Sequence, residues 1–301
     1  MNPQKKSHSK EKTELHQRNK HRKRYNFKKL IESCSELKSF VKINNYGDES
    51  IDFFNPEAVK MLNEALLKHY YNIRYWDIPK NYLCPPIPSR ADYIHYIADV
   101  FQQKNNVRVL DIGVGANCIY PIIGVNEYGW SFIGSDIDVM AISSAQDIID
   151  KNESLKHKVE LRVQKNPQDI FKGIIKENEI FDITICNPPF HSSLQEAQSG
   201  TLRKLKNLKN KSKVKPILNF GGQSNELWCD GGEAKFVKNM IYDSRRFSRS
   251  SKWFSTLISK ESNLKLIHKL LKKVEVKEMK TIPMCQGNKT SRIVIWTFMS
   301  L

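Results

Sequence analysis

No run in the 301 residues approaches the roughly 20 consecutive apolar residues that a membrane-spanning helix requires. The polar, basic N-terminus lacks the apolar core of a secretory signal. The six cysteines (Cys34, Cys84, Cys118, Cys186, Cys229 and Cys285) form no C-x-x-C pair, and no histidine follows them at zinc spacing, so a structural metal is not expected. Cys118 and Cys186 fall in apolar segments, where reduced core thiols and a cytoplasmic protein are the natural reading. There is no internal repeat, and no complete G-x-G-x-x-G, because Cys118 stands where the third glycine would be. That gap argues against a nicotinamide dinucleotide. Acidic residues are also scarce: 32 Asp and Glu face 49 Lys and Arg, a net charge of +17.

The excess charge is concentrated in two places. Residues 1–30 carry eleven Lys and Arg against Glu11 and Glu14, and residues 201–220 carry seven with no acid. Such blocks repel themselves, stay extended and suit a polyanion such as nucleic acid. Residues 1–25 are poor in apolar side chains, which predicts a disordered basic arm.

A helical extension is expected over 26–90. Asn55-Pro56-Glu57 reads as N-cap, N1 and first-turn acid of a helix that presents Val59, Leu62, Leu66, Leu67 and Tyr70 on one face. Cys84-Pro-Pro-Ile-Pro88 reads as a rigid linker, followed by an amphipathic helix through Tyr93, Ile94, Ile97 and Phe101. From residue 91 to the end the pattern is α/β. Strands are predicted at Val107–Ile112, Trp130–Gly134, Val159–Val163 and Phe181–Cys186, with helices at Cys118–Val125 and around Met140–Ile149 between them. That alternation implies a parallel, doubly wound sheet. Residues 191–222 interrupt it with Ser, Gln, Lys and Gly, as expected of a long loop inserted beside the site. A helix around Ala234–Ile241, an apolar segment at Trp253–Ile258, a helix through Leu264–Leu271 and strands near Val274–Ile282 and Ile293–Phe298 complete the chain.

Open α/β sheets bind ligands at the carboxyl ends of their strands. Three of the predicted strands end in residues with chemistry to offer there. Asp111-Ile-Gly113-Val-Gly115 joins a strand to a helix, and its glycines allow close approach of the backbone to a ligand. Asp136 closes the next strand 21 residues after Gly115, where a carboxylate can accept both ribose hydroxyls of an adenosine. A helix cap is the alternative role for Asp136, although Asp138 is better placed for it. The last strand stops at Asn187-Pro188-Pro189-Phe190, whose prolines cannot donate to a sheet ladder and hold the backbone extended. The Asn187 side-chain oxygen and the Pro188 carbonyl are acceptors for a planar NH2, and Phe190 offers a face on which a ring can stack. An adenine reaching such a pocket must leave its own stack.

Asn187-Pro-Pro-Phe190 resembles the signature of S-adenosyl-L-methionine-dependent amino-methyltransferases. Asp111–Gly124, Tyr128–Asp138, Asn219–Gly222, Glu226–Glu233 and Gln286–Phe298 are similar to the motifs of the bacterial 23S rRNA adenine-N6 methyltransferase family and its eukaryotic relatives acting on small nuclear RNA. The resemblance spans nearly the whole chain beyond the first twenty residues. It implies a Rossmann-like class I fold, with a mostly parallel seven-stranded sheet and helices on both faces, and S-adenosyl-L-methionine as cofactor. The implied reaction is methylation of N6 of one adenine, on 23S rRNA or a large ribosomal subunit precursor, by a monomer without metal. Asn187, Pro188, Pro189 and Phe190 become the expected catalytic residues, and Asp111, Gly113, Gly115, Asp136 and Asn187 the expected cofactor contacts. The resemblance adds Arg90, Asn117 and Asn166 to those contacts, and Lys289 and Arg292 as phosphate contacts. For Arg90, pairing with Asp92 is the alternative. Methylation of a protein glutamine or of DNA adenine, and a non-catalytic RNA-binding assembly factor, are the competing functions.

Overall fold

The computed structural model describes residues 11–101, 106–193, 195–196, 224–286 and 289–300. Most of the Lys-rich 191–222 segment and the first ten residues lie outside that set. At its centre is a seven-stranded sheet of β3 (Arg108–Ile112), β4 (Ser131–Asp136), β5 (Val159–Val163), β6 (Phe181–Cys186), β7 (Ser251–Ile258), β8 (Glu278–Gln286) and β9 (Lys289–Thr297), in the order β5-β4-β3-β6-β7-β9-β8. The first five strands in that order run parallel, and β9 is antiparallel to both of its neighbours. The middles of the central strands are apolar, with Val109, Leu110, Ile183 and Ile185 fully buried, as a sheet covered on both faces demands. The covering helices include α3 (Ile87–Val100), α4 (Ile119–Tyr128), α5 (Val139–Asp150), α8 (Gly232–Arg246) and α9 (Leu264–Lys273). Two single turns, α6 (Glu153–Lys156) and α7 (Ser224–Leu227), lie between them.

The chain order reverses at β3, whose two neighbours are β4 and β6. Register sets the geometry of that switch point. Ile112 lies opposite Ser135 on one side and Cys186 on the other, so the residues that follow, Gly113, Asp136 and Asn187, leave the sheet side by side.

The extension holds α1 (Phe27–Ser33), a short hairpin of β1 (Val41–Ile43) and β2 (Glu49–Ile51), and α2 (Pro56–Tyr71). Asn55 caps α2 as its sequence predicts, accepting the Glu57 and Ala58 N–H groups. The hairpin is not apparent from the sequence, where short apolar patches alternate with lysine. α3 begins at Ile87 and runs through the expected boundary at 90/91, and the buried side chains of α2 and α3 join those of β3 and α4 in one core.

The expectation of disorder over 1–25 is corrected for residues 11–25. Leu15 is 2% exposed and His21 fully buried, and the segment is tied to α2, α3 and α4 by polar groups. The His16 N–H donates to Asp92 (3.0 Å), and the Asn19 amide donates to Asp92 and to the Pro88 carbonyl (2.8 Å). Arg18 donates to Asp99 (2.7 Å) and to Tyr128 (3.0 Å), and His21 Nε2 lies 2.9 Å from the Tyr71 hydroxyl. Low apolar content suggested that nothing offsets the entropy of ordering. The buried Asp92 supplies the missing reason, because a carboxylate removed from water needs hydrogen-bond donors.

Candidate functional site

The first strand end is held as a preformed turn. Gly113 and Val114 N–H groups both donate to the Ser135 carbonyl (2.8 and 3.0 Å), and the Gly115 N–H donates to the Asp136 carboxylate (3.0 Å). Gly113 has φ +76° and Gly115 φ +65°, a region that L side chains avoid. A Cβ on Gly113 would meet nothing within 4 Å, so there is open space above the turn.

Asp136 lies at the edge of that space. One carboxylate oxygen accepts the Gly115 N–H and the other the Asp138 N–H (3.0 Å), so each retains a lone pair for a ligand. Burial raises the Asp136 carboxyl above its ordinary range, and the two N–H bonds oppose the shift. Asp138, not Asp136, caps α5, accepting the Met140 and Ala141 N–H groups and the Tyr82 hydroxyl (2.9 Å). The helix-cap alternative for Asp136 is thereby excluded.

These groups open onto one cleft of about 950 Å³. Of the sequence-predicted residues, Arg90, Gly113, Gly115, Asn117, Asp136, Asn187, Pro188 and Pro189 line it. Arg90 does not pair with Asp92, one oxygen of which accepts from His16 and Asn19; its guanidinium lies 5.7 Å over the Tyr120 ring. Asn117 is committed internally, accepting the Ile119 N–H (3.2 Å) and donating to the Leu83 carbonyl (3.4 Å). Asp111 sits behind the lining, fully buried, with neither oxygen bonded among the described residues. Burial, then the neighbouring Asp136 charge, push its carboxyl well above the ordinary range against the pull of Arg90.

Other predicted residues lie outside the lining. Asn166 is exposed, with its side chain turned back to the Gln168 N–H and to Asp169; Gln164, two residues earlier, lines the cleft instead. Phe190 is half-buried and outside the lining, and the next residue, His191, pairs with Trp228. Arg292 is held by Glu261 at 2.6 Å, and the Lys289 side chain lies outside the described residues.

Asn187 Oδ1 is buried and has no partner among the described residues. Its backbone is held from behind. The Tyr93 hydroxyl accepts the Cys186 N–H (3.3 Å) and lies 2.9 Å from Ser255 Oγ, which itself donates to the Thr184 carbonyl (2.8 Å). The sequence gives no sign of this bracket, since Tyr93 reads only as an apolar position of α3. Nor does it assign the cleft residues Glu226 and Trp228, although both stand in the Glu226–Glu233 motif. Glu226 accepts the Leu83 N–H (2.9 Å), linking α7 to the extension over the cleft. Glu233, 2% exposed, has a structural task, accepting from Ser259, Lys260 and Asn263 at the end of β7. Among the described residues no three His, Cys, Asp or Glu side chains gather as a metal site, and no helix is long and apolar enough to cross a membrane.

The cleft thus offers an open glycine turn, a strand-end carboxylate with free acceptor capacity and an unpaired amide oxygen, which together suit a nucleoside carrying a transferable group. Known proteins agree with that geometry. A model of a family described as RNA methyltransferase matches residues 9–300. The chain is 57% identical to the ribosomal RNA large subunit methyltransferase F of Cytophaga hutchinsonii, covering 98% of this chain and 94% of that one. It is 55% identical to the protein of the same name from Bacteroides fragilis, covering 96% and 99%. Among solved structures, the METTL16 catalytic domain in complex with the MAT2A 3'UTR hairpin 6 superposes with a TM-score of 0.81, at 29% identity over 95% of this chain and 98% of that one. The N-terminal domain of human METTL16 in complex with SAH gives 0.76 at 26% identity, with 95% and 99% covered. With a switch-point cleft of this composition and a match over nearly its whole length, the chain belongs to the RNA methyltransferase family and is an S-adenosylmethionine-dependent enzyme.

Proposed function

We propose that the chain methylates N6 of one adenine in 23S rRNA, either free or within a large-subunit precursor, acting as a cytoplasmic monomer. The observation that carries this reading is the buried, unpartnered Asn187 Oδ1 at the switch point, level with Gly113 and Asp136. Gly113 and Gly115 leave room for the cofactor, Asp136 accepts its ribose hydroxyls and Arg90 closes the same wall. Bound S-adenosylmethionine supplies an electrophilic methyl on its sulfonium. Asn187 Oδ1 and the Pro188 carbonyl accept the two N–H groups of the adenine amine, which turns the nitrogen lone pair out of conjugation with the ring. Orientation and fixed dipoles then supply most of the rate. No strong base is required, since the N–H becomes acidic only as the new bond forms. The Lys-rich segments would contact phosphates, which position the substrate without reading its sequence.

The test is transfer of labelled methyl to 23S rRNA, to large-subunit particles and to DNA, with the product base mapped. N6-methyladenine at one rRNA position is expected. Label in DNA or in protein glutamine, or none in rRNA, would overturn the reading. RNA affinity should fall with salt by about 0.7–0.9 log units per log unit of salt for each phosphate neutralised.

Asp136→Ala should weaken cofactor binding by about 10- to 100-fold, because hydrogen bonds to a charged acceptor contribute about 1.5–3 kcal/mol. Calorimetry with S-adenosylhomocysteine reads this directly, and unchanged affinity would remove Asp136 from the ribose site. Tyr93→Phe removes only the hydroxyl that brackets Cys186 and Ser255. Here kcat should fall about tenfold with cofactor affinity unchanged, since one lost buried hydrogen bond is worth about 1–3 kcal/mol. Equal kcat in the two proteins would make the bracket purely structural.

A further inference from the structure

Three buried polar side-chain atoms of the cleft lining have no hydrogen-bond partner among the described residues: the Tyr120 hydroxyl, which lies beside Arg90, Asn187 Oδ1 and the indole N–H of Trp228. Of the last two, Asn187 Oδ1 accepts and the indole only donates. The fold sets them at the same end of the cleft. His191 pairs with Trp228 in a parallel bridge, its N–H donating to the Leu227 carbonyl and its carbonyl accepting the Cys229 N–H, both at 3.1 Å. Trp228 is therefore fastened to the chain that has just left β6 through Asn187, Pro188 and Pro189. Asp136, at the ribose end, lies two strands away across β3, on the order of 10 Å at ordinary strand spacing. A buried N–H left unbonded is costly, so an unpartnered indole N–H in a cleft lining is a donor waiting for an acceptor.

We propose that Trp228 reads the target base. Its N–H donates to a ring nitrogen beside C6 of the adenine, N1 or N7, while Asn187 accepts from the N6 amine. This rests on the reading of Asn187 as the amine acceptor. Side by side, an acceptor and a donor complement the edge of adenine, where an amine flanks an unprotonated ring nitrogen. They oppose guanine, which presents an oxygen at C6 beside a protonated N1. Cytosine offers the same donor–acceptor pair on a smaller ring, and the depth of the cleft would disfavour it. Trp228 would then be a specificity-determining residue.

The experiment compares wild type and Trp228→Phe, which keeps the ring surface and deletes the N–H. The substrates are rRNA fragments carrying adenine, 1-deazaadenine or 7-deazaadenine at the methylated position. In the wild type one of the two analogues should lose about 10- to 100-fold in kcat/KM relative to adenine. The variant should lose a similar factor on adenine, show no further loss on that analogue, and bind S-adenosylhomocysteine as the wild type does. The proposal is overturned if the variant methylates adenine at the wild-type rate or discriminates the analogues as the wild type does. It is equally overturned if the loss appears as weaker cofactor binding. Should the variant fold poorly, wild-type enzyme that accepts both analogues as well as adenine would still refute it. Wild-type transfer to the unmodified fragment tests the N6 reading separately: failure there sinks the function, whereas success with uncoupled analogues sinks only the role of Trp228.

Discussion

Asn187→Ala should lower kcat by about 10²- to 10³-fold, the range found when one preorganised polar group is removed from a reacting centre. Affinity for S-adenosylhomocysteine should stay within a few-fold of wild type. The separation follows from the geometry: Asn187 Oδ1 has no hydrogen-bond partner among the described residues, so its removal breaks no hydrogen bond at that oxygen. The glycine turn and Asp136 hold each other through the Gly115 N–H and through Ser135, not through Asn187. Stability should therefore change little, and deleting a buried but unpaired amide can even be favourable. Asn187→Asp keeps an acceptor and should lose less than the alanine variant. Single-turnover kinetics distinguish a loss in the chemical step from a loss in RNA binding. Undiminished methyl transfer by Asn187→Ala would remove the amine acceptor from the mechanism and, with it, the assignment of N6.

What could be read from the chain, and what could not, divides along a physical line. The strand tips at Gly113, Asp136 and Asn187 were legible because each is a local event. Glycines make the turn, an acid ends a strand, and two prolines forbid continuation of the ladder. Their adjacency followed from the alternation of strands and helices, which places successive strand ends at one edge. Tyr93, Glu226 and Trp228 were not legible, because each acquires its role from a partner 93, 143 or 37 residues away, respectively. Tyr93 shows only an apolar face to periodicity, and its hydroxyl matters because the end of β6 packs against it. Asn166 was misplaced for the opposite reason. Local asparagine chemistry, a side chain folded back on the N–H two residues on, took precedence over the cleft. The order of residues 11–25 depends on a cluster of buried polar groups that composition cannot reveal. Asp92 and Asp99 on α3 draw in His16, Arg18 and Asn19 one hydrogen bond at a time.

That cluster carries the second large prediction: acidification from pH 7.5 to 5 should destabilise the fold, with histidine contributing about 4 kcal/mol of the loss. His21 and His95 are 0% and 1% exposed, and burial pushes both down to about 3, reinforced around His21 by Lys12 and around His95 by His16 and Arg18. In the unfolded chain each titrates at its ordinary value near 6.5. Below that value the unfolded state binds two protons that the native state refuses. Stability contributed by the neutral rings is therefore complete above pH 6.5 and is lost as pH falls from 6.5 toward 3. The slope approaches about 2.7 kcal/mol per pH unit for two groups. Asp92, Asp111 and Asp136, raised by burial, act in the opposite sense and reduce the net change. Glu179, held at about 2 by Arg162, and the depressed Asp99 lose their contribution as pH falls through the carboxylate range, below this window. Subtraction isolates the histidines. A variant with His21→Gln and His95→Gln keeps a polar group opposite Tyr71 and Tyr128 but cannot titrate. Urea unfolding of both proteins across this range should show the wild type losing about 4 kcal/mol more than the variant. Parallel curves would mean that the two rings are protonated in the native state.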